Sequence, residues 1–180
     1  MKMIFTLRSG GQTGVDQGCL NGFLDHIKNN IKVLKFQNGD IWKLTGWCPQ
    51  GRNAEDGKID PKYPLRETPT PKYEQRTEWN VCDTDATLIF LLTPAFIPEL
   101  DGTAFTIRMA KRYEKLWKLI FFDKNSVNNI KQILIWIKNN NIKHINICGP
   151  RESNSPGIQE STYRFVLSLL NKIQLIKAKI

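Results

Sequence analysis

The chain has 180 residues, 41% of them hydrophobic and 24% charged, with a formal net charge of +9. That length builds one domain with a sizeable core, and no apolar run reaches the roughly 20 residues that span a bilayer. The four cysteines, Cys19, Cys48, Cys82 and Cys148, form no CxxC pair, which excludes the usual zinc spacings and a disulfide scaffold.

The opening "MIFTL" (3–7) reads as a buried first strand, not a signal peptide, because no small-residue cleavage pattern follows it. The chain is therefore assigned to the cytoplasm. "SGGQTG" comes next, and then a helix whose Cys19, Leu20, Phe23, Leu24 and Ile27 recur at helical spacing. "KVLKF" (32–36) reads as a second strand. Residues 37–70 are too rich in Gly, Pro and charge to be core; an irregular stretch of that length is commonly functional. Thr70–Pro71 starts a helix that sets Tyr73, Arg76 and Asn80 on one face. "TLIFLL" (87–92), "KLIFF" (118–122) and "INIC" (145–148) are three further strands. Helices are predicted from Gly102, from an N-cap at Ser126, and from Ser155–Pro156. Continuous apolar strands alternating with helices predict an α/β fold: a mainly parallel open sheet with helices on both faces, in one domain over 1–180.

In such folds ligands bind beyond the carboxyl ends of the strands, so the segments that follow the strands carry the functional reading. Ser9, Gly10, Gly11, Thr13 and Gly14 form a glycine turn at a helix start, and Gly102, Thr103 and Thr106 form a second. Free amides at helix N-termini suit an anion, above all a phosphate. Neither turn matches GxGxxG or a Walker A motif. "GPRES" adds Gly149, Arg151, Glu152 and Ser153, with Arg151 suited to clamp a phosphate. Tyr73, Arg76 and Asn80, an aromatic, a guanidinium and an amide on one helix face, could read a heteroaromatic ring, the alternative being a solvent-facing polar helix; Arg52 is a further binding candidate. No His stands beside a Ser or Cys and no metal-ligand set is present; Glu55, Asp56, Glu78, Asp83 and Asp85 are the candidates for a general base. Residues 105–180 carry 14 Lys and Arg against 4 Asp and Glu. They fall mostly as single lysines on helix faces, which favours a solvated basic face over a nucleic-acid site.

Five segments in order, "SGGQTGVDQGCL", "GWCPQGRNAEDG", "YPLRETPTPKYEQRTEWNVCDTDATLI", "DGTAFT" and "GPRESNSPGI", resemble the motifs of the molybdenum-cofactor carrier proteins. The resemblance runs from about Ser9 to about Tyr163. It implies a Rossmann-like fold shared with cytokinin-activating phosphoribohydrolases and the DNA-processing protein DprA. It also implies a homo-oligomer, dimer or tetramer, that binds the molybdenum cofactor, a phosphorylated pterin dithiolene, without catalysis. The phosphoribohydrolases place a catalytic Glu at an offset where this chain has Thr106; Glu99 and Asp101 stand before that turn instead. The alternatives are a nucleotide or N-glycoside hydrolase and a DNA-binding module related to DprA.

Overall fold

The computed structural model describes residues 4–34, 41–94, 102–122 and 126–177. In chain order these form β1 (Ile4–Arg8), α1 (Val15–Leu34), β2 (Ile41–Thr45) and β3 (Trp47–Cys48), followed by a 3-10 turn over Gln50–Arg52. The short strands β4 (Asn53–Ala54), β5 (Gly57–Lys58) and β6 (Arg66–Glu67) precede α2 (Tyr73–Cys82). Then come β7 (Ala86–Leu91), α3 (Gly102–Arg112), β8 (Leu116–Phe121), α4 (Ser126–Asn139), β9 (His144–Cys148) and α5 (Ile158–Lys177). No described helix is long and apolar enough to cross a membrane.

The main sheet has five strands in the order β2-β1-β9-β7-β8, and every pairing in it is parallel. All six residues of β7 are buried, as expected of a strand covered on both faces. The chain leaves β1 for β2 in one direction and β7 for β8 in the other. Right-handed crossovers therefore put α1 and α3 on opposite faces. α5 packs on α1, and α2 packs on α3. Phe90, Phe122 and Phe165 meet with ring centroids 5.1–5.4 Å apart in the core between sheet and helix.

Two expectations are corrected. Residues 32–34 belong to α1, and the second strand is "IWKLT", Ile41–Thr45; residues 35–36 lie outside the described residues. No Gly or Pro separates Ile27 from Leu34, so nothing in the chain stops the helix there. The stretch 37–70 also does join the core: Cys48, Ile59, Tyr63 and Leu65 are buried. Arg52 makes this feasible. Its guanidinium donates to the carbonyls of Ile59, Asp60, Tyr63 and Leu65 at 3.0–3.2 Å, satisfying acceptors that would otherwise be costly to bury in an irregular segment.

The glycines of the first helix have a packing role. A Cβ on Gly18 would lie 2.3 Å from the Gln159 carbonyl oxygen, and one on Gly22 would lie 2.8 Å from that of Tyr163. α1 and α5 thus touch backbone to backbone along this seam. Asn171 and His26 (2.9 Å) and the Tyr163 hydroxyl on Asp25 (2.9 Å) bond across it.

Candidate functional site

At the carboxyl ends of the strands, the turn after β1 does hold an anion, and that anion is the protein's own Asp16. Buried at 3% exposure, Asp16 accepts the Gln12 N–H at 3.2 Å and the Gly10 N–H. It also faces the Arg76 guanidinium at 3.1 Å. The Ser9 Oγ lies 3.1 Å from Asp16 and 2.8 Å from the Ile147 carbonyl, so its single proton serves one of the two. Burial raises the Asp16 carboxyl above its ordinary range, while Arg76 and these hydrogen bonds oppose that rise.

The next amides of the turn are occupied as well. Thr13 N–H donates to the Gln12 Oε1 (3.0 Å), Gly14 N–H to the Gln159 Oε1 (2.9 Å) and Val15 N–H to the Pro150 carbonyl (3.2 Å). Gly11 and Gly14 hold positive φ angles of 85° and 74°. A Cβ on Gly14 would strike the Pro150 oxygen at 2.4 Å, and one on Gly10 would strike the Arg76 guanidinium at 2.2 Å. The glycines of this turn are there for close packing of the protein on itself.

A hairpin locks the same turn from outside. Glu55, between β4 and β5, accepts the Thr13 hydroxyl and the Ser153 hydroxyl and N–H (2.5 and 3.2 Å), and lies 3.7 Å from Arg151. Burial pushes its carboxyl up, but the Ser153 and Thr13 hydrogen bonds and the Arg151 charge outweigh that, and the net shift is downward. A depressed acid stabilises the fold above its unfolded titration range, and that contribution fades as pH falls through the folded value. Glu55→Gln is therefore expected to cost about 1 kcal/mol at neutral pH, kept small by solvent screening. In urea unfolding the gap from wild type should close at acid pH. Glu152 makes a third internal anion: it accepts the N–H groups of Gly157 (2.5 Å) and Gln159 (2.9 Å) and so caps α5.

Of the helix N-termini on this rim, those of α1 and α5 are thus supplied by the protein. The N-terminus of α3 faces a cleft of about 450 Å3, counting the space at its open mouth. The cleft lies where the β1 and β7 connections diverge, the switch point at which open α/β sheets bind ligands. Gly102, Thr103 and Thr106 line it from α3, Cys148, Gly149, Pro150 and Arg151 from the end of β9, Arg76 and Thr77 from α2, and Gln12 and Asp16 from the first turn. Two buried donor atoms in this group, Gln12 Nε2 and Arg76 Nε, have no hydrogen-bond partner.

The cleft gathers six of the sequence candidates: Arg76, Gly102, Thr103, Thr106, Gly149 and Arg151. Ser9, Gly10, Gly11, Thr13, Gly14, Glu152 and Ser153 support its wall without lining it. Arg52 is committed to the 59–65 carbonyls. Asn80 is committed to the backbone of Trp47, donating to its carbonyl at 2.9 Å and accepting its N–H at 2.8 Å. Gln12, Asp16 and Cys148 went unread; the one signal for Gln12 was a polar side chain inside a glycine turn. The five carboxylates considered as bases lie outside the cleft lining. Besides Glu55, Asp56 accepts from Gln17, Glu78 from Tyr113, Asp83 from Trp47, and Asp85 from the 143 and 144 amides. Glu99 and Asp101 lie outside the described residues. Among the described residues no cluster of three or more His, Cys, Asp or Glu could hold a metal. Burial pushes the Cys148 thiol up to about 12, so it faces the cleft protonated.

No curated protein matches the chain. A solved structure does: a "Putative molybdenum carrier protein" from Syntrophus aciditrophicus SB, 33% identical over 93% of this chain and 95% of that one, with a TM-score of 0.76. Residues 7–170 match the model of the circularly permutated YpsA SLOG family, so the shared motifs, the Rossmann-like sheet and the overall match agree: the chain belongs to that family.

Proposed function

We propose that the chain is a carrier of a phosphorylated heteroaromatic ligand, with the molybdenum cofactor as the leading candidate. The observation that carries this reading is the cleft at the switch point, where the start of α3 and Arg151 line one wall and the buried, unpartnered donors of Gln12 and Arg76 another. The first amides of a helix have no partner inside it and favour negative charge, and Arg151 adds a cation on the same wall. The name of the related structure supports molybdenum as the cargo. The residues fit such a guest: the start of α3 and Arg151 suit a phosphate, and the unpartnered donors suit a polar ring. The dithiolene brings its own sulfur, so no protein thiolate is needed, in keeping with a protonated Cys148.

Holding rather than cleaving is the favoured action. Asp16 is the carboxylate that lines the cleft among the described residues, and its oxygens are engaged by Arg76 and the Gly10 and Gln12 amides. A general base needs a lone pair aimed at substrate. The reading carries with it a cytoplasmic homo-oligomer, which light scattering would size.

The test is anaerobic titration with the molybdenum cofactor. A Cβ on Gly102 meets nothing within 4 Å, so Gly102→Asp should fold normally while setting a carboxylate where the phosphate binds. Affinity is expected to fall at least about tenfold, the equivalent of 1.4 kcal/mol, with an unchanged melting temperature. Wild-type protein that ignores the cofactor, or a variant that binds it equally well, would overturn the carrier reading. Base release from nucleoside monophosphates would point to hydrolysis instead.

A further inference from the structure

Resting on the carrier reading, we infer that the floor of the cleft recognises a ring carbonyl of the ligand, with Gln12 and Arg76 donating to it, so that the heteroaromatic ring enters first and the phosphate stays at the α3 end.

The orientation of the Gln12 head group follows from its partners. One head atom accepts two N–H donors, from Thr13 at 3.0 Å and from Glu55 at 2.9 Å. An NH2 group cannot accept, so that atom is the carbonyl oxygen and the other is the amide nitrogen. The nitrogen is buried without a partner on a residue that is 6% exposed and lines the cleft. Arg76 repeats the pattern. Its Nη1 faces Asp16 at 3.1 Å, its Nε is buried without a partner, and it too lines the cleft.

Both unspent atoms are N–H donors. Leaving buried donors unpaired is costly, so the two are complementary to an acceptor on the guest. The charge of Arg76 is already matched by Asp16, which makes this end of the cleft nearly neutral. A neutral carbonyl oxygen fits it better than a phosphate dianion, which belongs at α3 and Arg151. An exocyclic amino group in the same place would set donor against donor.

A carbonyl of this kind occurs in oxopteridines and in oxopurines, and two ligand pairs separate them. Binding of a 4-oxopteridine monophosphate and its 4-amino counterpart, and of inosine and adenosine monophosphates, would be measured by fluorescence or calorimetry, with inorganic phosphate as the reference. The oxo member of at least one pair is expected to bind roughly tenfold to a hundredfold more tightly, the scale of an unpaired buried polar group; the pair that shows it identifies the ring. Arg76→Lys keeps a cation beside Asp16 but removes Nε, and Gln12→Glu replaces the donor with an acceptor. Each should abolish the oxo-over-amino preference, read as the affinity ratio within each ligand pair, with melting curves confirming the fold. Equal binding of oxo and amino members by wild type, with phosphate still bound, would overturn this inference and leave the carrier reading standing. A preference that survives in both variants would overturn it too. If phosphate and all four ligands fail to bind, the carrier reading falls and this inference with it.

Discussion

Asp16→Ala is expected to be the most damaging single substitution in the site, lowering stability by about 3–5 kcal/mol, the usual cost of leaving a buried charge without its partner. Asp16 is 3% exposed, and its removal strands the Arg76 guanidinium, whose side chain is 14% exposed. It also strands the Gly10 and Gln12 amides. Arg76→Ala should cost less, because the two partners differ in what they can do alone. A guanidinium cannot shed its proton, whereas a buried carboxyl can take one up. Burial already raises Asp16, and losing Arg76 would raise it further. A raised acid binds protons more tightly when folded, so its variant gains stability as pH falls through that folded value and loses it as pH rises. Urea unfolding across a pH series checks both statements. The deficit of Arg76→Ala should shrink toward acid pH and that of Asp16→Ala should not. A loss under about 1 kcal/mol for Asp16→Ala would mean that the pair contributes no more than a surface ion pair.

The second large effect is expected at the helix seam. Gly18→Val would press its side chain into the Gln159 carbonyl (2.3 Å) and the Thr162 Cβ (2.9 Å) of α5. The first of these is backbone and cannot rotate away, so the helices must separate. Overpacking a core typically costs about 1–3 kcal/mol, and a separated seam would also weaken the His26–Asn171 and Asp25–Tyr163 bonds. A loss of about 3 kcal/mol is expected, or roughly 6–12 °C in melting temperature for a chain of this size. Gly18→Ala gains back up to about 1 kcal/mol of helix propensity and should fall between. An unchanged melting temperature for Gly18→Val would mean that α1 and α5 do not touch here.

How far the sequence could be read depended on whether the relevant partner was local. β1, β7 and β9 lie where continuous apolar runs stand, because burial on both faces leaves its mark in consecutive residues; β8 carries such a run too, although it is an edge strand with only Ile120 fully buried. β2 was missed: Lys43 and Thr45 break up its apolar residues, and the apolar run before it serves α1. The glycines of "SGGQTG" announced a close approach but not its object. Gly14 and Gly18 are there for α5 and its preceding loop, far along the chain. Arg52 and Asn80 read as ligand-facing because hydrogen-bond satisfaction is nonlocal, and the carbonyls they serve are unmarked in a sequence. Arg76 and the Gly102 turn reached the cleft, since one helix face and one helix start are local geometry. Asp16 could be read only after the fold showed which anion the first turn already held.

The order β2-β1-β9-β7-β8 makes the last strand to be synthesised the keystone of the sheet. Until His144–Cys148 leaves the ribosome, β1–β2 and β7–β8 are two ribbons with no rung between them, each with an open flank. Joining them requires contacts between distant parts of the chain, which slows folding, and the same insertion brings the Gly149–Arg151 wall to the cleft. A nascent chain of this design completes this cleft only in the act of closing its sheet.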